Sequence, residues 1–350
     1  MLDIKRWEIS KKRFEAFWNQ EIVDRCLVSI TSPKDGAKYI EPVFRDEAYF
    51  TTPELIIEHN RKCFNETCFL GEAYPIILHD LGAGGHAGFF KGEKHSFQDT
   101  VWFFPGIEHP DQVEFDENSF LYKKSIELAE AFRQDSNGDY FVGMPDATGN
   151  ADALAHLLGS ENLMMYMLDE PEAVQRALDK IEYAYERIMK ETHEILKDVN
   201  FGGGCVGWLR TWAPGFHAQM QSDKSVMISK NMFDEFIAPE LTKQSEMLAY
   251  ALYHFDGVEQ IRHLDSLLSI PGIKAIQWTQ VAGQKPCTDY IPELKRIQEA
   301  GKSLVISVSP DQIEPLMENL SSKGLYLLTG APSEYEAKEI LKKVEKWTRE

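Results

Sequence analysis

The chain has 350 residues, 43% of them hydrophobic, and 56 acidic against 37 basic side chains give a formal net charge of −19. With no basic stripe in either half, nucleic acid and anionic membrane surfaces are disfavoured as partners. No apolar run approaches the roughly 20 residues of a membrane-spanning helix, and the opening MLDIKRWEISKKRF has no apolar signal-peptide core, so the expectation is a soluble, cytoplasmic protein. The length suits a single large domain over residues 1–350, in which residues 1–70 read as an N-terminal helical extension packed on the main body.

Taken in chain order, Trp7, Phe14, Phe17 and Trp18 recur at helical spacing and predict a first helix. Arg25–Ile30 is a β-type run closed by the turn-rich TSPKDG, and Pro53 opens a helix over Leu55–Phe64. Cys26, Cys63, Cys68, Cys205 and Cys287 are odd in number and scattered, as expected of reduced thiols. Cys63 and Cys68 have no matching downstream pair that would make a zinc ribbon. From Ala73 the sequence AYPIILHDLGAGGHAGFFKG runs a short apolar strand into His79 and Asp80 and then into Gly82, Gly84, Gly85 and Gly88. Glycine at this density lets the main chain approach a ligand closely. It is not a nucleotide fingerprint, because the required glycine order is absent. A plain surface loop and a ligand loop that offers His86 remain equal readings. Thr100–Pro105, which contains Trp102, is either a strand or a lid.

After an amphipathic helix over Asn118–Gln134 the pattern becomes regular. Strand-like runs fall at Tyr140–Met144, Gly204–Trp208, Ala251–His254, Ala275–Trp278, Leu304–Val308 and Leu325–Leu328, most followed by a helix. Among those helices are Pro171–Leu196 and Asp234–Ala251, and Pro310 and Pro332 each introduce another. Repeated βα units without a glycine-rich dinucleotide turn predict a parallel (β/α)8 barrel of the TIM type.

In such a barrel ligands bind at the carboxyl ends of the strands. The polar residues there are Asp146, Cys205, Gln219, Gln221, Asp223, His254, Asp256, Gln277, Ser307 and Thr329. The sharpest stretch is YHFDG. His254 and Asp256 are two apart and project to the same side of a straight strand. They supply half of a zinc site, which Cys205 or Asp223 would complete, or a catalytic imidazole–carboxylate pair; alternatively Asp256 caps the following helix. Asp146 is open to capping and catalytic readings alike. His263 lies in the next helix and reads as structural. Trp102, Trp208, Trp212 and Trp278 near strand ends suggest an aromatic-lined pocket for a planar or sugar-like ligand. The candidate substrate contacts are thus His86, Trp102, Trp208, Gln221, Gln277 and Trp278.

Several segments together, YPIILHDLGAGG, PDATGNADALAHLLGSENL, DEPEAVQRALDKIE, QSDKSVMISKNMFDEFIAPEL, YHFDG and GLYLLTGAPSEYEAKEILKKV, resemble the uroporphyrinogen decarboxylase superfamily, which also contains cobalamin-dependent methyltransferases. The resemblance implies a barrel enzyme, often dimeric, with either decarboxylase or methyltransferase chemistry. The arginine-rich N-terminal stretch of true uroporphyrinogen decarboxylases has no counterpart here, and a substrate with eight acid groups would meet an already negative chain. The methyltransferase branch carries His-x-Cys where this chain has His254-Phe255-Asp256, and a second cysteine where it has Thr329 and Gly330. The resemblance therefore implies a divalent metal such as zinc held by nitrogen and oxygen, and a methyl transfer linked to a corrinoid protein or a thiol. A metal-independent decarboxylase using Asp146 or Asp223, and a non-catalytic tetrapyrrole- or sugar-binding barrel, are the alternatives.

Overall fold

The computed structural model describes residues 2–349. Helix α1 (Ile4–Trp18) is capped by the Asp3 carboxylate, which accepts from the Arg6 amide, and it buries Trp7, Phe14, Phe17 and Trp18. Strand β1 (Leu27–Pro33), helices α2 (Glu47–Thr51) and α3 (Pro53–Glu66), strands β2 (Thr67–Gly71) and β3 (Ile76–Ile77), and the hairpin β4 (Lys94–Gln98) and β5 (Thr100–Phe104) follow. Next come α4 (Phe120–Ser136), β6 (Phe141–Val142), and the helices α5 (Asn150–Leu158), α6 (Ser160–Asp169) and α7 (Pro171–Leu196). Three short strands, β7 (Gly204–Val206), β8 (Thr211–Ala213) and β9 (His217–Met220), lead to α8 (Lys230–Met232), a π-helical turn at Phe233–Ile237 and α9 (Ala238–Met247). The chain ends with β10 (Tyr250–Phe255), α10 (Leu264–Ser269), β11 (Ile273–Trp278), α11 (Ile291–Glu299), β12 (Ser303–Ser307), α12 (Pro310–Asn319), β13 (Leu325–Gly330) and α13 (Glu334–Trp347).

A seven-stranded sheet runs in the order β2-β1-β13-β12-β11-β10-β9. All its neighbours are parallel except β2, which lies antiparallel on β1. The α/β class holds. The expected closed ring of eight strands is not shown: beyond β9 the structure breaks into the pairs β3–β6, which is parallel, and β7–β8, which is antiparallel. The main-chain bond from the Met144 amide to the Cys205 carbonyl connects the two pairs. Pro75 and Pro145 flank these short strands and cannot donate to a ladder, which keeps the pairings short. Gly204 lies so close to His217 that a Cβ there would come within 2.8 Å of its carbonyl oxygen.

The first 70 residues are more than a helical extension, because β1 joins the sheet beside β13 and β2 closes its edge. The strand at His217–Met220 was not expected. Its His217 and Gln219 are polar yet buried, so no apolar alternation marks it.

Strand alternation divides the sheet into two faces. Leu252, Ala275, Val305 and Tyr326 pack with Trp7, Phe14, Phe17 and Trp18 of α1 in one aromatic-rich cluster. Tyr253, Phe255, Ile276, Trp278, Leu304 and Ile306 pack in the larger cluster with the helices. His254 and Gln277 follow the parity of Leu252 and Ala275, and so stand above the α1-side cluster at the carboxyl ends of their strands.

Candidate functional site

His254 is the penultimate residue of β10 and is nearly buried, its ring edge-on to Trp208 with centroids 4.9 Å apart. Its Nδ1 lies 2.5 Å from the Gln277 Oε1 on the paired strand β11. An amide oxygen accepts only, so this contact places the imidazole proton on Nδ1 and leaves Nε2 with its lone pair. Thr279 holds the amide in turn, accepting from Gln277 Nε2 at 2.9 Å. The His254 Nε2 lies 3.8 Å from the Asp256 Oδ1.

Asp223 begins a short helical turn after β9 and comes to the same place. Asp223, His254 and Asp256 each offer a ligand atom, all within 4.8 Å of one another. Burial and Asp256 push the Asp223 carboxyl up, against the opposing pull of His254 and Lys224. Its Oδ1 is buried and has no hydrogen-bond partner, while its Oδ2 accepts from Gln221 Nε2 at 3.4 Å. The turn is fastened from behind by Asp152, whose carboxylate accepts from the amides of Asp223 and Lys224 at 2.9 and 2.7 Å. Gly149, at φ +83°, clears the way: a Cβ there would stand 2.1 Å from the Asp152 Oδ2.

Asp146 lies on the other side of a glutamine relay. Gln219 Nε2 donates to Asp146 Oδ1 at 2.9 Å and to Gln221 Oε1 at 3.1 Å, and Gln219 Oε1 accepts from Trp208 Nε1. Burial, with Asp80, Asp223 and Asp152 adding like charge, pushes the Asp146 carboxyl up to about 8. Asp80 itself is paired with Arg45 at 2.5 Å.

Two cavities meet at Trp208. One of about 860 Å³ is lined by Thr31, Lys38, Tyr39, Leu78, Trp208 and Arg210 among others. The second, about 100 Å³, is lined by His79, Asp80, Met144, Asp146 and Trp208, and shares Leu78 and Gly207 with the first. A Cβ at Gly207 would meet the Leu78 side chain at 2.6 Å, so glycine keeps that neck open.

Several candidates lie elsewhere. Cys205 is fully buried in the α1-side cluster, and burial holds its thiol far above the usual range, so Asp223 and not Cys205 stands with His254 and Asp256. Trp278 has the opposite strand parity from Gln277 and stacks on Phe255 at 4.9 Å inside the helix-side core. Trp102 is exposed on the β4–β5 hairpin, away from the large cavity's lining. The aromatic-lined pocket is thus not assembled: of these tryptophans, Trp208 alone borders that cavity. His86 is buried in the turn Gly85–Phe89, with Asn150 the side chain acting on it, and burial lowers its imidazole to about 3. His263 stacks on Phe233 and bonds the Ser225 carbonyl, a packing role. Asp152 went unremarked in the sequence, where a carboxylate in a helix's first turn looks like an ordinary helix-dipole partner.

These elements define an α/β protein with a polar cluster at the carboxyl ends of parallel strands, beside a cavity large enough for a small-molecule ligand. Among solved structures the fold is similar to that of a methyltransferase from Methanosarcina mazei, at a TM-score of 0.59 and 14% identity over 96% of this chain and 98% of that one. Likeness at that identity concerns the fold alone. No protein-family profile and no curated protein sequence matches the chain. Among the described residues no helix is long and apolar enough to cross a membrane.

Proposed function

We propose that the protein is a methyltransferase for a polar small molecule, built on a variant of the (β/α)8 barrel, with a divalent cation such as zinc held by Asp223, His254 and Asp256. The convergence of those three side chains within 4.8 Å carries the reading. The donor set fits such an ion: an imidazole whose free nitrogen is fixed by Gln277, two carboxylates, and a buried Asp223 oxygen without a partner. The absence of thiolate ligands favours a harder, more Lewis-acidic centre than a zinc–thiolate site. When bound, the ion would lower the pKa of an acceptor thiol or hydroxyl.

The chain's own residues do the rest. Asp223 and Asp256 bring negative charge, and Asp152 and Gln221 hold the Asp223 turn in place. Trp208 forms the wall between the large cavity and His254, fixing how far a substrate reaches. Without a cation on Asp223, Asp146 is largely protonated near neutral pH and offers a proton, rather than a negative charge, to a substrate carboxylate or leaving oxygen. A metal-independent decarboxylase that relies on ionised Asp146 has correspondingly less support, since that carboxyl is neutral over much of the physiological range.

The methyl group would come from a corrinoid, supplied by a partner protein, and pass to the acceptor sulfur or oxygen as the Co–C bond breaks. Both bonding electrons stay on cobalt, and the acceptor proton goes to solvent. The test uses methylcobalamin, zinc and a panel of small thiols, with the appearance of the cob(I)alamin spectrum as readout. Turnover that disappears in His254→Ala and in the chelator-treated protein is expected. Turnover equal in wild type and His254→Ala removes the assignment.

A further inference from the structure

Away from that site, helices α5, α7 and α9 enclose a second polar cluster with an unusual balance of donors and acceptors. Asn150 opens α5, Glu182 and Tyr185 lie one turn apart on α7, and Glu240 and Gln244 lie one turn apart on α9. All five side chains are more than nine-tenths buried. The amide groups of Asn150 and Gln244 both donate to the same atom, Glu182 Oε2, at 2.6 and 2.7 Å. Gln244 Oε1, Glu182 Oε1 and the Tyr185 hydroxyl are without a partner, and Asn150 Oδ1 and the Glu240 carboxylate make no hydrogen bond of good geometry although Asn150 lies beside both His86 and Glu240.

Among the described residues neither glutamate forms an ion pair. The neighbouring Lys243 reaches outward to Glu186 at 3.6 Å. His86, which acts on Asn150, is held neutral by burial and brings no charge. Burial and the mutual repulsion of Glu182 and Glu240 drive the Glu240 carboxyl well above its usual range.

Two buried carboxyl groups without a cation can only be tolerated by protonation or by binding one. One carboxyl proton and the tyrosine hydroxyl proton would satisfy only part of this set of acceptors. A hard cation seated between the two carboxylates would relieve their repulsion, and the side chains around them, two carboxyls, two amides and a phenol, offer oxygen ligands.

We propose that Asn150, Glu182, Tyr185, Glu240 and Gln244 form a buried structural site for a divalent cation of the calcium class, distinct from the Asp223–His254–Asp256 cluster and independent of the catalytic reading. The cation braces the start of α5 against α7 and α9. Because α5 also carries Asp152, whose carboxylate holds the amides of Asp223 and Lys224, the bridge stiffens the floor of the candidate active site from behind.

The test uses the full chain, dialysed against chelator and then returned to calcium, with metal content by mass spectrometry and thermal unfolding as readouts. Wild type and His254→Ala should each retain a single equivalent of calcium, and a hundredfold excess over Kd should raise Tm by about 4 °C. Glu240→Gln should lose both responses and melt below wild type in calcium. The proposal is overturned if Glu240→Gln binds calcium like wild type. It is also overturned if neither protein binds calcium and Glu240→Gln melts higher, the signature of acids that share a proton. Should Glu240→Gln not fold, terbium luminescence sensitised through Tyr185 in His254→Ala decides. Emission displaced by calcium supports the site, and absence of such emission refutes it.

Discussion

The contact between Gln277 and His254 makes a quantitative demand on metal affinity. Gln277 is nearly buried, and its carbonyl oxygen is 2.5 Å from the imidazole Nδ1. Replacing it by leucine keeps the volume but removes the nearer acceptor for the Nδ1 proton and leaves only the Thr279 hydroxyl at 3.3 Å, a group that can donate as well as accept, so the tautomer with Nε2 blocked becomes accessible to His254. Loss of such an outer partner typically costs about 10–100-fold in metal affinity, or roughly 1.4–2.8 kcal/mol. Gln277→Glu should move affinity the other way, since a carboxylate makes the imidazole a stronger donor. The assay is zinc competition against a chromophoric chelator with wild type, Gln277→Leu, Gln277→Glu and His254→Ala. Gln277→Leu binding zinc as tightly as wild type, while His254→Ala does not, would show that the tautomer argument is wrong. Equal binding by all four would remove the metal site itself.

Other outcomes follow from the same geometry. Asp146 has a folded-state pKa raised to about 8, so the folded protein holds that proton more tightly than the unfolded chain between about pH 4 and 8. Stability contributed by this group therefore falls as pH rises through that window, and Asp146→Asn should flatten the slope, gaining most over wild type in urea unfolding above pH 8. Trp278→Ala should cost about 3–5 kcal/mol in the same assay, because it empties a core position stacked on Phe255. Trp208→Ala, at a half-open position, should cost less than about 1 kcal/mol yet weaken ligand binding measured by calorimetry. Cys205→Ala should lower stability by about 1 kcal/mol and leave zinc affinity unchanged; a tenfold loss of affinity would return Cys205 to the ligand set.

Much of the secondary structure was legible because it rests on local chemistry. The spacing of Trp7, Phe14, Phe17 and Trp18 marks α1, Pro171 and Pro310 each open a helix at its first turn, and the β-rich runs at Leu304 and Leu325 become β12 and β13. The strand at His217–Met220 was not legible, because a buried strand that carries His and Gln has the pattern of a loop. The helix expected after His254 begins as a tight 3-10 turn at Val258–His263, where local periodicity does not distinguish the two.

What the sequence determined by itself was the neighbourhood of His254 and Asp256, since a period of two along a strand and the polar character of strand ends need no partner to express them. The third member of the cluster was another matter. Asp223 and Cys205 were equivalent as linear candidates, and only packing separated them, sending one to the mouth beside His254 and the other beneath Tyr74 into the aromatic cluster. The same holds for Trp278, whose parity relative to Gln277 is visible in the chain but whose burial depends on which face the helices cover. The meeting of Asn150, Glu182 and Gln244 likewise exists only once three helices separated by tens of residues are laid together, because contact is a property of distances between atoms and not of spacing along a chain.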